Sequence, residues 1–149
     1  MRWMLAAVHL LALGIGLGAV WARGRALRAP LDGTGVRRVL SADTWWGIAA
    51  LLWLATGLVR LFGGFEKGSA YYFANQYFWI KMGLFLSILL LELVPMITFI
   101  KWRRSLGRGD VVAAANAGRL ATTSFVQAVL VALMVLAATA MARGYGVPS

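Results

Sequence analysis

The chain has 149 residues, 61% of them hydrophobic, a net charge of +10 and no cysteine. That hydropathy is too high for a soluble globular domain of this length and belongs to a membrane protein. The missing cysteine excludes disulfides, thiolate metal sites, iron–sulfur clusters and a cysteine nucleophile, and because the arginines flank apolar runs they read as topology signals, with no nucleic-acid partner expected.

Four apolar segments, residues 3–22, 45–62, 77–100 and 120–142, each come near the roughly 20 residues that cross about 30 Å of hydrocarbon. The expected fold is all-α, an integral membrane four-helix bundle forming a single domain. In the first segment, Arg2 before an apolar run and "VWA" before Arg23 resemble a cleaved leader. Arg23, Arg25 and Arg28 directly after the run oppose translocation of the chain beyond them, so a retained helix is expected. The segment carries His9, the sole histidine, which at this depth is a haem ligand, a proton-handling group or a hydrogen-bonded packing residue. Ala6, Ala12 and Gly16 share its helix face and leave room for close packing or for a flat ligand. The "GIGLG" run follows no strand, so it is no dinucleotide loop, and Gly14 and Gly18 are expected at a helix contact instead.

The second segment is preceded by "SADTWW", in which Asp43 reads as a helix N-cap, and it ends near Arg60, which either lies at headgroup level or faces a site. A loop comes next with Phe65, Tyr71, Tyr72, Phe73, Tyr77, Phe78 and Trp79, a composition suited to an interface, with rings at headgroup level. The third segment, "FWIKMGLFLSILLLELVPM", holds two charges where hydrocarbon is expected. Lys81 and Glu92 are 11 residues apart, close to three helical turns, so they project from one face about 16 Å apart. Charges facing lipid would cost several kcal/mol each, so that face, with Leu84, Phe85, Ile88 and Pro95, should look inward. Pro95 should kink this helix. In the fourth segment Asn116, Arg119, Thr123 and Gln127 recur at helical spacing opposite Asp43 and Glu92, with Arg119 the expected partner of either acid.

The connection from Arg23 to Arg38 carries five arginines and that from Lys101 to Arg119 five basic residues, against Arg2, Arg60, Lys67 and Arg143 on the other side. The positive-inside rule then places both termini outside the cytoplasm. At the outer level His9, Arg60 and Lys81 converge, and no acidic residue of the apolar segments shares that level. Three potential cations at one depth describe a site for an anion. Six methionines are scattered without clustering, which argues against a copper-carrying methionine track.

The block "ADTWWGIAALLWLATGLVRLFGGFEKGSAYYFANQYFWIKMGLF" resembles the central part of a family of small bacterial four-helix membrane proteins, domain of unknown function 2214. The string from Gly63 to Lys81 and His9 carry most of that likeness, which implies an architecture, and a multi-pass place in the bacterial inner membrane, but no chemistry. More distantly, the chain is similar to the four-helix membrane protoporphyrinogen oxidases, which are haem proteins, and to the related copper-resistance membrane domain; His9 and "WIK" ending at Lys81 match functional residues of the oxidases in kind and place. Glu92 stands where those oxidases have a further histidine, so this resemblance implies at most one axial histidine within a protomer.

Two routes thus lead to one expectation: haem or a porphyrin-like anionic ligand bound between helices in the outer half. In it His9 is the metal ligand or a proton carrier, Lys81 and Arg60 hold carboxylates, and Glu92 supplies a proton path, with a redox activity of the oxidase type. Two other readings stand beside it: a small oligomeric transporter, motivated by charges at two levels of one helix face, and an accessory or assembly subunit that exists as a homo-oligomer or in a larger membrane complex.

Overall fold

The computed structural model describes residues 2–63 and 69–146; Phe65 and Lys67, and with them the middle of the "GG.EKG" string, lie outside the described residues. Five helices succeed one another: α1 Arg2–Leu27, α2 Gly33–Phe62, α3 Ser69–Ala74, α4 Gln76–Gly107 and α5 Ala117–Ala142. All but α3 are long and apolar enough to cross a membrane, so the architecture is an all-α bundle of four spanning helices. At about 1.5 Å per residue they are roughly 39 to 48 Å long, and they run past the apolar segments at the end rich in arginine.

Local chemistry explains the boundaries. The chain leaves α1 through Arg28 to Leu31, and Asp32 then caps α2, its carboxylate accepting a hydrogen bond from the Gly35 amide at 2.7 Å. Asp43 is therefore not a cap. It lies nearly three turns inside α2 and is free to turn toward other helices. Asn75 caps α4 by accepting from the Tyr77 amide at 2.9 Å, and α4 continues as helix through Pro95 to Gly107.

α1 packs on both α2 and α5, α4 packs on α5, and α2 and α4 make the least contact of the neighbouring pairs. Around the bundle the order is thus α2, α1, α5, α4. Glycine allows two of the close approaches. A Cβ on Gly16 would sit 3.4 Å from the Ala49 methyl, and one on Gly24 would sit 3.0 Å from the Phe125 ring. Gly14 and Gly18, expected at a contact, have nothing within 4 Å and are exposed. They fall on the side of α1 turned away from its neighbours, and the approach is made by Gly16, between them.

The interior is layered. Toward the termini, Ala12, Val20, Trp46, Trp53, Ile88, Val131 and Met134 form one apolar cluster; toward the arginine-rich end, Leu27, Val36, Val39, Phe99, Trp102 and Leu120 form another. α3 is fastened to the end of α5. The Tyr71 hydroxyl donates to the Met141 carbonyl at 3.2 Å, the Asn75 side-chain amide to the Tyr145 carbonyl at 3.0 Å and the Gln76 amide to the Gly146 carbonyl at 2.9 Å. Gly146 has φ +82° and lies where a Cβ would strike the Tyr77 ring, so both conformation and space demand glycine there.

The turn into α2 is equally tight, since a Cβ on Gly35 would be driven into the Pro30 carbonyl oxygen, which is backbone and cannot step aside. Gly35→Ala is expected to lower stability by about 1–3 kcal/mol, read as a lower midpoint of thermal unfolding by circular dichroism in detergent, while Gly14→Ala in open space leaves the midpoint unchanged or raises it.

Candidate functional site

Between the two apolar layers lies a polar one built around Arg23, whose side chain is fully buried. All five guanidinium N–H groups have an acceptor. Nε donates to Ser124 Oγ at 3.1 Å, one terminal nitrogen to Asp43 and Glu92 at 2.8 Å each, and the other to Glu92 at 2.9 Å and Gln127 at 2.7 Å. Gln127 in turn donates to Glu92 at 2.7 Å, and Arg103 from α4 closes on the second Asp43 oxygen at 2.8 Å. Two arginines thus face two carboxylates, and the group is formally neutral. Trp46 and Phe99 lie 5.8 and 5.5 Å from the guanidinium carbon, from the apolar layers on either side.

This overturns one sequence expectation and relocates another. Arg119 is exposed at the start of α5 and reaches neither acid, because at the first turn of α5 it lies about two turns from Gln127, at the end of the bundle and not in its interior. Arg23, whose place after an apolar run suggests a topology signal, is the partner. Its position on the face that also buries His9, Ala12, Gly16 and Val20 is the available clue. Glu92 points inward, as its spacing from Lys81 requires, but it belongs to the Arg23 group.

Nearer the termini a half-open cavity of about 500 Å³ is lined by side chains of all five helices, mostly apolar, among them His9, Trp53, Arg60, Tyr71, Lys81 and Phe85. His9, Arg60 and Lys81 thus share one wall space, as the depth argument requires, and no carboxylate lies among the described lining residues. His9 is 6% exposed. Its Nδ1 lies 2.8 Å from Thr56 Oγ1, and the Thr56 hydroxyl spends its proton on the Leu52 carbonyl at 2.7 Å. With the hydroxyl proton on that carbonyl, Thr56 accepts from His9 Nδ1–H.

Trp53, which no sequence motif singles out, organises this wall. It stacks on His9 with centroids 5.2 Å apart and touches Phe85 at 5.1 Å, and the Lys81 ammonium lies 5.5 Å from its ring centre. Its indole N–H is buried and has no acceptor, a rare condition for a polar group in a folded interior. Trp53 precedes Arg60 by seven residues, two helical turns, and that spacing is the signal that could have found it. Among the described residues no group of three or more His, Asp or Glu side chains could enclose a metal ion, so a metal here would depend on His9.

Residues 1–146 match the family model of the predicted membrane proteins DUF2214, and the chain belongs to that family. No curated protein and no solved structure matches it.

Removing the Arg23 charge leaves Glu92 in the bundle interior without a cation and Asp43 with Arg103 alone, so Arg23→Met is expected to cost about 3–5 kcal/mol. Arg23→Lys should recover only part of this, since an ammonium has three donors for five acceptors and no planar fork. The midpoints of the two variants in chemical or thermal unfolding test both statements; equal stability of wild type and Arg23→Met would contradict them.

Proposed function

We propose that this DUF2214 member is a ligand-binding multi-pass protein of the bacterial plasma membrane that holds haem or a closely similar porphyrin carboxylate in the cavity between His9, Arg60 and Lys81. One observation carries the reading: the sole histidine and two long cations, from three different helices, line a single apolar cavity. A porphyrin is flat and apolar with carboxylates on one edge, and such a molecule asks for an apolar slot with an imidazole and cations at one level.

The residues fit that group. An iron-ligating histidine needs its remote ring nitrogen unprotonated and its other N–H tied to an acceptor that fixes the ring. The His9–Thr56–Leu52 chain is compatible with that tautomer, and the Trp53 stack limits ring rotation. Arg60 and Lys81 supply positive charge for carboxylates, and the aromatic and aliphatic wall keeps water from the ring face. When bound, haem iron would bring one-electron chemistry to the site. The chain contributes a ligand, charge and dryness. The Arg23 group does not take part, because Glu92 already accepts from Arg23 and Gln127. By the positive-inside reading, the exposed basic residues Arg25, Arg28, Arg37, Arg38, Arg104 and Arg108 face the cytoplasm and the cavity lies in the outer half.

Titration of the purified protein with haemin tests this. A saturable, red-shifted Soret band is expected, lost in His9→Ala and weakened roughly tenfold in affinity in Lys81→Gln, about what one charge-assisted hydrogen bond provides. A spectrum identical to haemin in empty detergent micelles would end the haem reading.

A further inference from the structure

At the arginine-rich end, outside the buried clasp, the seam between α1 and α5 carries a second arrangement of cations and rings. Arg25 stands in the last turn of α1 and Arg28 directly after the helix, and the Arg28 amide donates to the Arg25 carbonyl at 3.2 Å, which holds the two in one turn. Arg28 lays its guanidinium over the ring of Phe125 from α5, 4.6 Å from the ring centre. Trp21 meets the same ring edge-on at 4.9 Å, and Gly24 makes room for it, since a Cβ there would stand 3.0 Å from the ring. A charge that serves topology alone needs no such seat. Stacking orients the guanidinium plane and leaves its N–H edge available to an oxyanion.

No acid of the chain meets these two arginines. Neither side chain takes part in an ion pair or a side-chain hydrogen bond among the described residues, and neither α1 nor α5 contains an acidic residue. Of the acids toward this end, Asp43 and Glu92 are held by Arg23 and Arg103, Asp32 caps α2 and Asp110 pairs with Arg108. Arg37, Arg38, Arg104 and Arg119 are exposed and add to the positive field. Depth then says what brings the anion. Counted from Ala22, where the first apolar segment ends, Arg25 and Arg28 lie about 5 and 9 Å further along, which is headgroup depth. Within the apolar segments beside them, Trp21, Val126 and Val129 are 52%, 44% and 58% exposed.

We propose that the α1–α5 seam seats one anionic phospholipid, with its phosphodiester on Arg28 and Arg25 and an acyl chain along Trp21, Phe125 and Val129. A phosphate offers two oxygens to a planar fork of donors. A zwitterionic headgroup would carry a further cation into a field that already holds several without acids, and a free phosphate ester would leave the rings and valines beside it uncovered. None of these residues lines the cavity of His9, so the lipid seat is independent of the ligand reading above.

Native mass spectrometry of the full chain in a neutral detergent counts bound lipid. Three probes are compared: phosphatidylglycerol, phosphatidylcholine with the same acyl chains, and glycerol 3-phosphate as a headgroup without chains. Wild type should hold one phosphatidylglycerol about tenfold more tightly than either of the others. Arg28→Gln should weaken that adduct about tenfold, and Phe125→Leu should weaken it although every charge remains. Arg37→Gln, which removes an exposed cation of α2 outside the seam, should leave it unchanged. Equal losses from Arg28→Gln and Arg37→Gln overturn the proposal, because charge would then act without a seat, and so does equal retention of phosphatidylcholine. Glycerol 3-phosphate held as firmly as phosphatidylglycerol removes the lipid and leaves a phosphate site. Where Phe125→Leu lowers the melting midpoint, the comparison of Arg28→Gln with Arg37→Gln decides. Haemin titration of Arg28→Gln should match wild type, so failure of the lipid seat and failure of the haem reading are read separately.

Discussion

A guanidinium with five donors and five acceptors, buried at the crossing of four helices, is the constraint on which the rest of this bundle depends. In water, helices associate because burial removes apolar surface from solvent. In a bilayer that gain is missing, since lipid tails are as apolar as leucine, and packing with interhelical hydrogen bonds decides which helices meet and in what register. Leu54, Leu86 and Val94 are content facing lipid; Arg23 is not. Any slip of one helix by a turn would leave a charge or an amide without its partner in a medium that cannot solvate it. The Arg23 group thus sets the relative heights of α1, α2, α4 and α5, and by doing so it sets the heights of His9, Arg60 and Lys81 nearer the termini.

The separation of the two polar levels comes from the same geometry. Lys81 and Glu92 occupy one face of α4 but three turns apart, and the aromatic and aliphatic layer of Trp53, Phe85, Ile88 and Met134 lies between them. The lower level is formally neutral and has its hydrogen bonds made, which suits a structural clasp. The upper level is lined by basic and aromatic groups around open volume, and its tryptophan N–H lacks an acceptor. Satisfied polar groups hold a fold together; open volume lined by aromatic and basic side chains is where a ligand can be held. The cavity, and not the charge cluster, is therefore the functional candidate.

Much of the fold is legible in the sequence because membrane spans advertise themselves by length and composition, and the convergence of His9, Arg60 and Lys81 comes from counting residues along three helices. Partner choice is not legible. Arg23 stands in a run of arginines, and a flanking charge near a headgroup and a buried one look alike in sequence until the helix is known to continue past it; α1 runs to Leu27, so Arg23 lies a turn inside. Asp43 misleads for the mirror reason: α2 begins at Gly33, where Asp32 satisfies the open amide, and nothing in "SADTWW" alone reveals that helix already precedes it. Gly16, on the face of His9, makes the close approach that its position predicts, whereas Gly14 and Gly18 mislead because small residues on a lipid-facing side leave the same trace as those in a contact.

The weak contact between α2 and α4 acquires meaning from the same contrast. A bundle tied by one buried clasp is held most firmly at the level of that clasp; nearer the termini the contacts across this seam include a ring contact between Trp53 and Phe85 and the approach of Lys81 to Trp53. Ring contacts of this kind are worth on the order of 1 kcal/mol and tolerate sliding, whereas a charge-assisted fork does not. Rigidity at the level of the clasp fixes the register of the bundle, while side chains nearer the termini that line the cavity, Leu54 and Leu58 among them, are left to meet hydrocarbon.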